Sequence, residues 1–415
     1  MLLGTSKQDI TPVEPIELAG FSHRKGKASE IHEPLYLRTY LIQSNEVYFL
    51  FFVADLIWWD TAFVKRLGEV IEKRFNIPVN QICFHATHNH SGPQTSFRFS
   101  SDLGNPNNEY LDLLEHKVIN SIVESLSDLE KVKMQVNKGT AEIGVNRRKK
   151  INGIVQMEPN IEGEVDNDLT VISFITEKGI KKGIWIHYTC HPTTTDANVI
   201  SSEFTGYCCK KVEEQYSNSN VAFLQGFCGD IRPSMIRDGS FYRGSIKKMA
   251  DIGLKMSNKV LDLLNEDGDF LDDAGQIAFR VAEFPLSFDN DTAVDMYIPE
   301  PLKDEWPNLV KNTNGNYNLI IQYIELSEKL SLLCCNAEMV HEYGRFIKQI
   351  DEDILPLGYS NGMVGYVPTE MQLKEGGYEA EESLFYFGYP SKLASYVEKD
   401  IEKEIKTILG REGIV

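Results

Sequence analysis

The chain has 415 residues, 42% hydrophobic and 25% charged, enough apolar material to bury a large core in an ordinary globular protein. Its net charge of -19 argues against nucleic acid or an anionic membrane surface as a partner. No run of about 18 apolar residues is present, which excludes a membrane-spanning helix.

In chain order, Leu35 to Ile42 and Val47 to Val53 predict neighbouring strands across Gln43-Ser44-Asn45-Glu46. Asp60 opens a helix to about Phe75, and Ile82 to Ala86 returns as a buried strand. A second helix starts near Glu109 and carries Leu111, Leu114, Val118 and Ile122 on one face. Leu169 to Ile175, Gly183 to His187 and Val221 to Leu224 predict three more strands. The alternation predicts an α/β fold, a layered mixed β-sheet flanked by helices, in one large domain over residues 1–415. Short connections require some antiparallel pairing. Residues 236–250 and 286–330 are less regular, and the second stretch, with Pro299, Pro301 and Pro307, reads as an insertion or lid beside the site. Within 390–410 a packing helix places Leu393, Val397, Ile401, Ile405 and Ile408 on one face and stops at Gly410.

Residues Met1 to Asp9 lack the basic-then-apolar pattern of a secretion signal. The seven cysteines (83, 190, 208, 209, 228, 334 and 335) form neither a CxxC repeat nor a disulfide pattern, so reduced thiols in a cytoplasmic setting are expected.

Five of the nine histidines fall in two short segments, each an apolar strand running into a proline turn. The first is Ile82-Cys-Phe-His-Ala-Thr-His-Asn-His-Ser-Gly-Pro93, with His85, His88 and His90. On an extended backbone His88 and His90 point to one side and His85 to the other. The second is Ile184-Trp-Ile-His-Tyr-Thr-Cys-His-Pro-Thr193. His191 sits at its turn as His88 does, whereas His187 lies inside the apolar run and reads as a core histidine. Imidazoles at the end of a rigid strand are suited to zinc or a similar divalent ion.

Gln225-Gly-Phe-Cys-Gly-Asp-Ile-Arg-Pro-Ser234 adds glycines that let backbone approach a ligand, and Asp230, placed to orient a histidine or a water or else a solvated turn residue. Asn146 to Lys150 is either a solvated charge run or the carrier of one arginine aimed into a cleft. Cys228 or Cys190 beside a histidine offers a less favoured nucleophile.

These segments, taken with Asp-Ile-Thr-Pro (9–12), Ala-Gly-Phe (19–21), His-Glu-Pro-Leu-Tyr-Leu-Arg (32–38), Ala-Asp (54–55), Val-Asp-Asn-Asp-Leu-Thr-Val (165–171), Asn-Ala-Glu (336–338) and Gly-Tyr-Val-Pro-Thr (365–369), resemble the catalytic domain of the neutral/alkaline (non-lysosomal) ceramidases, closest to short bacterial members. The resemblance covers about residues 1–385, and Thr-His-Asn-His-Ser-Gly-Pro (87–93) is its most specific part. It implies a zinc held by His88, His191, Glu338 and Tyr366, with Glu342 and His341 as disfavoured competitors. It further implies a metal-bound water that hydrolyses an amide, with His90 assisting proton transfer, Arg147 orienting the substrate and Tyr378 hydrogen-bonding the oxyanion.

One position departs: ceramidases carry serine where this chain has Arg232, and a guanidinium cannot replace a hydroxyl relay. Arg232 is therefore expected to pair with an anionic group on a small polar substrate. The expectation is a zinc-dependent amidohydrolase acting on an N-acyl compound. The alternatives are hydrolysis of a lactone, cyclic amide or N-acetyl sugar, or a non-catalytic zinc protein that binds an anion.

Overall fold

The computed structural model describes residues 1–271, 277–289 and 298–411. Tyr36–Ser44 and Val47–Ala54 form an antiparallel hairpin across Asn45, whose left-handed φ of 54° suits an asparagine turn. The Asp60 carboxylate accepts from the Phe63 amide and caps the helix Thr61–Phe75. That helix feeds the fully buried strand Ile82–Ala86, which pairs parallel to Val47–Ala54.

A nine-stranded sheet runs in the order Asn220–Gln225, Lys181–Tyr188, Asp168–Thr176, Glu130–Thr140, Leu2–Asp9, Tyr36–Ser44, Val47–Ala54 and Ile82–Ala86, with Asp269–Leu271 added on Glu130–Thr140. The end pairs are parallel and those between them antiparallel, so the mixed sheet expected from the connections is found.

The two halves join only at Leu2↔Lys131 and Leu3↔Glu130, and they fold face to face. Strand alternation then sorts the side chains. Tyr40, Phe51, Ile172, Phe174 and Trp185 point into the space between the halves, where Trp185 meets Tyr40 and Phe51 edge-on at 5.4 and 5.1 Å. Leu41, Leu50 and Phe52 point outward under Thr61–Phe75 and Asn108–Ser127, and Val171, Ile186 and Phe223 under Glu203–Gln215 and Ile246–Leu264. The result is a helix–sheet–sheet–helix stack.

Two sequence expectations need correction. Within 236–250, Ser245 caps the long helix Ile246–Leu264. Within 286–330, Asn318–Ser327 is an inner strand of a four-stranded sheet with Ala278–Pro285, Leu330–Cys335 and Ile354–Leu357, because its apolar residues face both adjoining cores. Residues 290–297 of that stretch lie outside the described residues. The closing helix is Val397–Ile408, ended by Gly410 at φ 67°; Leu393 precedes it and packs on the same core.

Candidate metal centre

The two candidate histidine segments leave the carboxyl ends of Ile82–Ala86 and Lys181–Tyr188, on opposite halves of the bent sheet. Folding the halves together brings their loops to one place, as strand carboxyl ends do in many α/β sites. His88, His90 and His191 present ring nitrogens within 4.8 Å of one another, all buried.

His88 and His90 meet for a reason different from the extended spacing expected. His88 adopts a left-handed φ of 61°, a strained conformation for a non-glycine residue, and its Nε2 lies 3.1 Å from that of His90. Tyr359, also left-handed, stacks on the His88 ring at 3.8 Å.

The remaining candidate ligands come from far along the chain. Glu338–Met339 and Tyr366–Val367 pair as a short parallel ladder with Glu338 opposite Tyr366, so backbone register sets the two side chains together. Glu338 Oε1 lies 2.7 Å from His191 Nε2 and 3.2 Å from His88 Nε2. The Tyr366 hydroxyl accepts from Arg147 Nη2 at 2.9 Å and lies beside the Glu338 carboxylate. All four side chains therefore converge.

Their electrostatics suit a cation. His88 donates Nδ1–H to the Ile57 carbonyl at 3.0 Å, and His191 donates its own to the Cys228 carbonyl at 2.6 Å. Those bonds fix the tautomer with the Nε2 lone pairs turned inward, toward each other and the carboxylate. Burial opposes the charge on Glu338, yet His88 and His191 hold its carboxyl well below the usual range. Burial pushes His191 down to about 4 despite Glu338, and His90 falls well below its ordinary value through burial and then His88. Two imidazoles, a carboxylate and a phenol form the nitrogen–oxygen donor set that zinc accepts.

Arg147 and Arg148 are both buried, although adjacent residues on a regular strand point to opposite faces. A register shift between Asn146 and Arg148 in Gly144–Ile151 puts a bulge there, and both arginines reach Glu379. Burial opposes the Arg147 charge, but Tyr366 and Glu379 hold it well above its ordinary value. Tyr378 turns edge-on to Tyr366 at 5.5 Å, with the Arg147 guanidinium 5.4 Å from its ring centre. The run Asn146 to Lys150 thus contributes two buried arginines.

Other expectations fare unevenly. His85 and His187 belong to the core, bonded to Ser360 and the Gln225 amide and to the Pro356 carbonyl. Asp230 does orient a histidine, but the partner is His341: it accepts from the His341 amide and Nδ1 at 3.0 and 2.9 Å and from Gln372 at 3.0 Å. His341 and Glu342 belong to this second cluster and not to the group around His88. Asp230 thus sits in a buried pair with His341, beside the group around His88. Gly229 admits protein, not ligand: a side chain there would meet the Met339 carbonyl at 2.9 Å. Burial raises the Cys190 and Cys228 thiols, which disfavours a thiolate nucleophile.

Arg232 is buried over the Phe241 ring at 4.2 Å, and its Nε has no hydrogen-bond partner. Burial, then Arg243 and Arg147, push its guanidinium down from its ordinary value. Sequence reasoning missed Glu379, Arg24 and Arg243. For Glu379 a signal existed in the paired Gly376-Gly377 ahead of it, both at positive φ and leading into a π-helix over Tyr378–Glu382.

A family model described as neutral/alkaline non-lysosomal ceramidase, N-terminal, matches residues 1–241. The chain belongs to that ceramidase family. Its fold is shared with a solved structure titled "Ceramidase complexed with C2" at TM-score 0.80 and 17% identity, covering 98% of this chain and 74% of that one. It is also similar to the neutral ceramidase from Pseudomonas aeruginosa at TM-score 0.76 and 17% identity, covering 98% and 73%. No curated protein matches. Family and fold support an amide-bond hydrolase. His88, Arg147, His191, Asp230 and Arg232 lie inside the matched segment, and Glu338, Tyr366 and Tyr378 beyond it. Among the described residues, no helix is long and apolar enough to cross a membrane.

Proposed function

We propose that the protein is a zinc-dependent amidohydrolase that cleaves the C–N bond of a small N-acyl compound. The convergence of His88, His191, Glu338 and Tyr366, with both Nε2 lone pairs turned inward, carries this reading. These four side chains would hold the ion. When bound, zinc supplies Lewis acidity and brings the pKa of water to around 7.

The chain's own residues supply the rest. His90, kept neutral by burial and by its neighbours, is free to take a proton from the attacking water and pass it on to the departing nitrogen. The Tyr378 hydroxyl and the Arg147 guanidinium, which lies 5.4 Å from the Tyr378 ring centre, would meet the negative charge that grows on the carbonyl oxygen. Glu379 fixes Arg147, so that charge meets a preset donor. In balance, water oxygen joins the acyl carbon, the C–N bond breaks, and the amine leaves with a proton. Seven free, buried thiols favour a reducing, cytoplasmic setting.

The test is turnover of N-acyl substrates by purified protein, before and after a chelator, with metal analysis alongside. Chelator-sensitive amide cleavage restored by zinc supports the reading. Activity that persists in metal-free protein removes it.

A further inference from the structure

Three arginines lie beside the histidine group with no acid in ion-pair contact among the described residues. Arg24 bonds only to the carbonyls of Ala19 and His90, and its Nε and Nη1 are buried without partners. Arg243 bonds to the Thr193 carbonyl, two residues beyond His191. Phe21 joins these two, with guanidiniums 5.0 and 4.5 Å from its ring centre, and packs on His90 at 5.0 Å. Arg232 follows Ile231, whose carbonyl accepts from the His191 amide, and its guanidinium lies 4.2 Å from the ring centre of Phe241, two residues before Arg243.

Among the described residues, no ion pair holds any of the three. The nearby acids are engaged elsewhere. Asp196 pairs with His23, and Glu203 accepts from the Thr194 and Thr195 amides. A guanidinium keeps its proton, so three such charges without an ion-pair partner are expensive unless an anion enters. Asp196 and Glu203 act on Arg24 and Arg243, and Glu158 on Arg232, only at a distance.

We propose that Arg24, Arg232 and Arg243 receive a carboxylate of the substrate, so that the natural amides are small N-acyl compounds bearing a free carboxylate. This rests on the amidohydrolase reading for the reaction, but the anion receptor stands on its own geometry. A planar guanidinium fork matches a carboxylate's two oxygens. The receptor would hold that end of the substrate while the amide faces the centre.

Calorimetry on zinc-loaded, full-length protein tests it with a panel of N-acetyl amino acids of small, acidic and aromatic side chains, each paired with its uncharged primary amide. At least one acid should bind roughly 10- to 100-fold more tightly than its amide, the range for a hydrogen bond to a charged group. Arg232→Met should abolish that preference and Arg232→Lys restore part of it, with Arg243→Met as the second variant should the first not fold. If no acid outbinds its amide, or if the preference survives both methionine variants, the receptor is refuted. An N-acetyl aminosulfonate or aminophosphonate that outbinds every carboxylate refutes the carboxylate assignment. Tight acid binding without turnover upholds the receptor while rejecting the amidohydrolase; turnover of neutral amides alone does the reverse.

Discussion

At Glu338 a single oxygen lies 2.7 and 3.2 Å from two imidazole nitrogens whose protons are committed elsewhere. Glu338→Gln keeps the shape and removes the charge. Zinc content measured by elemental analysis should fall, with affinity reduced beyond the ~10- to 100-fold typical of groups that only support a ligand. Unchanged zinc content in Glu338→Gln would exclude the glutamate as a ligand. Tyr378 asks a different question, because on the proposed reading it would meet charge that exists only in the transition state. Tyr378→Phe should lower kcat on the order of 100-fold with KM little changed. A rise in KM at constant kcat would make it a binding residue instead.

At the scale of elements, backbone devices aim the side chains, and they explain what the sequence does and does not reveal. The strands and helices were legible because apolar runs and caps such as Asp60 are local signals. His88 and His191 were legible as strand-end histidines. The bulge that turns Arg147 and Arg148 to one side leaves no mark in composition or spacing. The ladder that sets Glu338 beside Tyr366 joins positions far apart in the chain, and only the family resemblance pointed to it. Arg24 and Arg243 carried no signal, since an isolated arginine usually reads as surface.

Two predictions belong here. Gly229→Ala should destabilise the fold by about 1–3 kcal/mol in chemical denaturation, because the new methyl meets the Met339 carbonyl at 2.9 Å. The Asp230–His341 pair should make stability depend on alkaline pH. Burial opposes the His341 charge, but Asp230 and then Glu342 raise its pKa from 6.5 to about 10. A raised folded pKa contributes fully below 6.5 and is lost as pH rises through about 10. Melting temperature should fall over that interval, and His341→Asn should flatten the fall. A wild-type curve flat to beyond about pH 10 would show that the pair contributes nothing.

For the whole molecule, the boundary of the family match at residue 241 is not a folding boundary. Leu319, Ile321, Leu333, Leu384 and Ile401 share one core with Leu41 and Phe52, and Leu332 and Leu357 share the other with Phe51. A fragment of residues 1–241 should therefore lack cooperative unfolding in circular dichroism and bind no stoichiometric zinc. A sharp melting transition in that fragment would refute the dependence.

The short ladder between Glu338 and Tyr366 has a consequence during synthesis. His88 and His191 leave the ribosome long before their oxygen-bearing partners, so a nascent polypeptide cannot assemble the full pocket until its last quarter has emerged. On the proposed reading, cation capture would then act as a late lock, favouring only finished copies, and starvation for the ion should raise the share of newly made protein open to proteolysis.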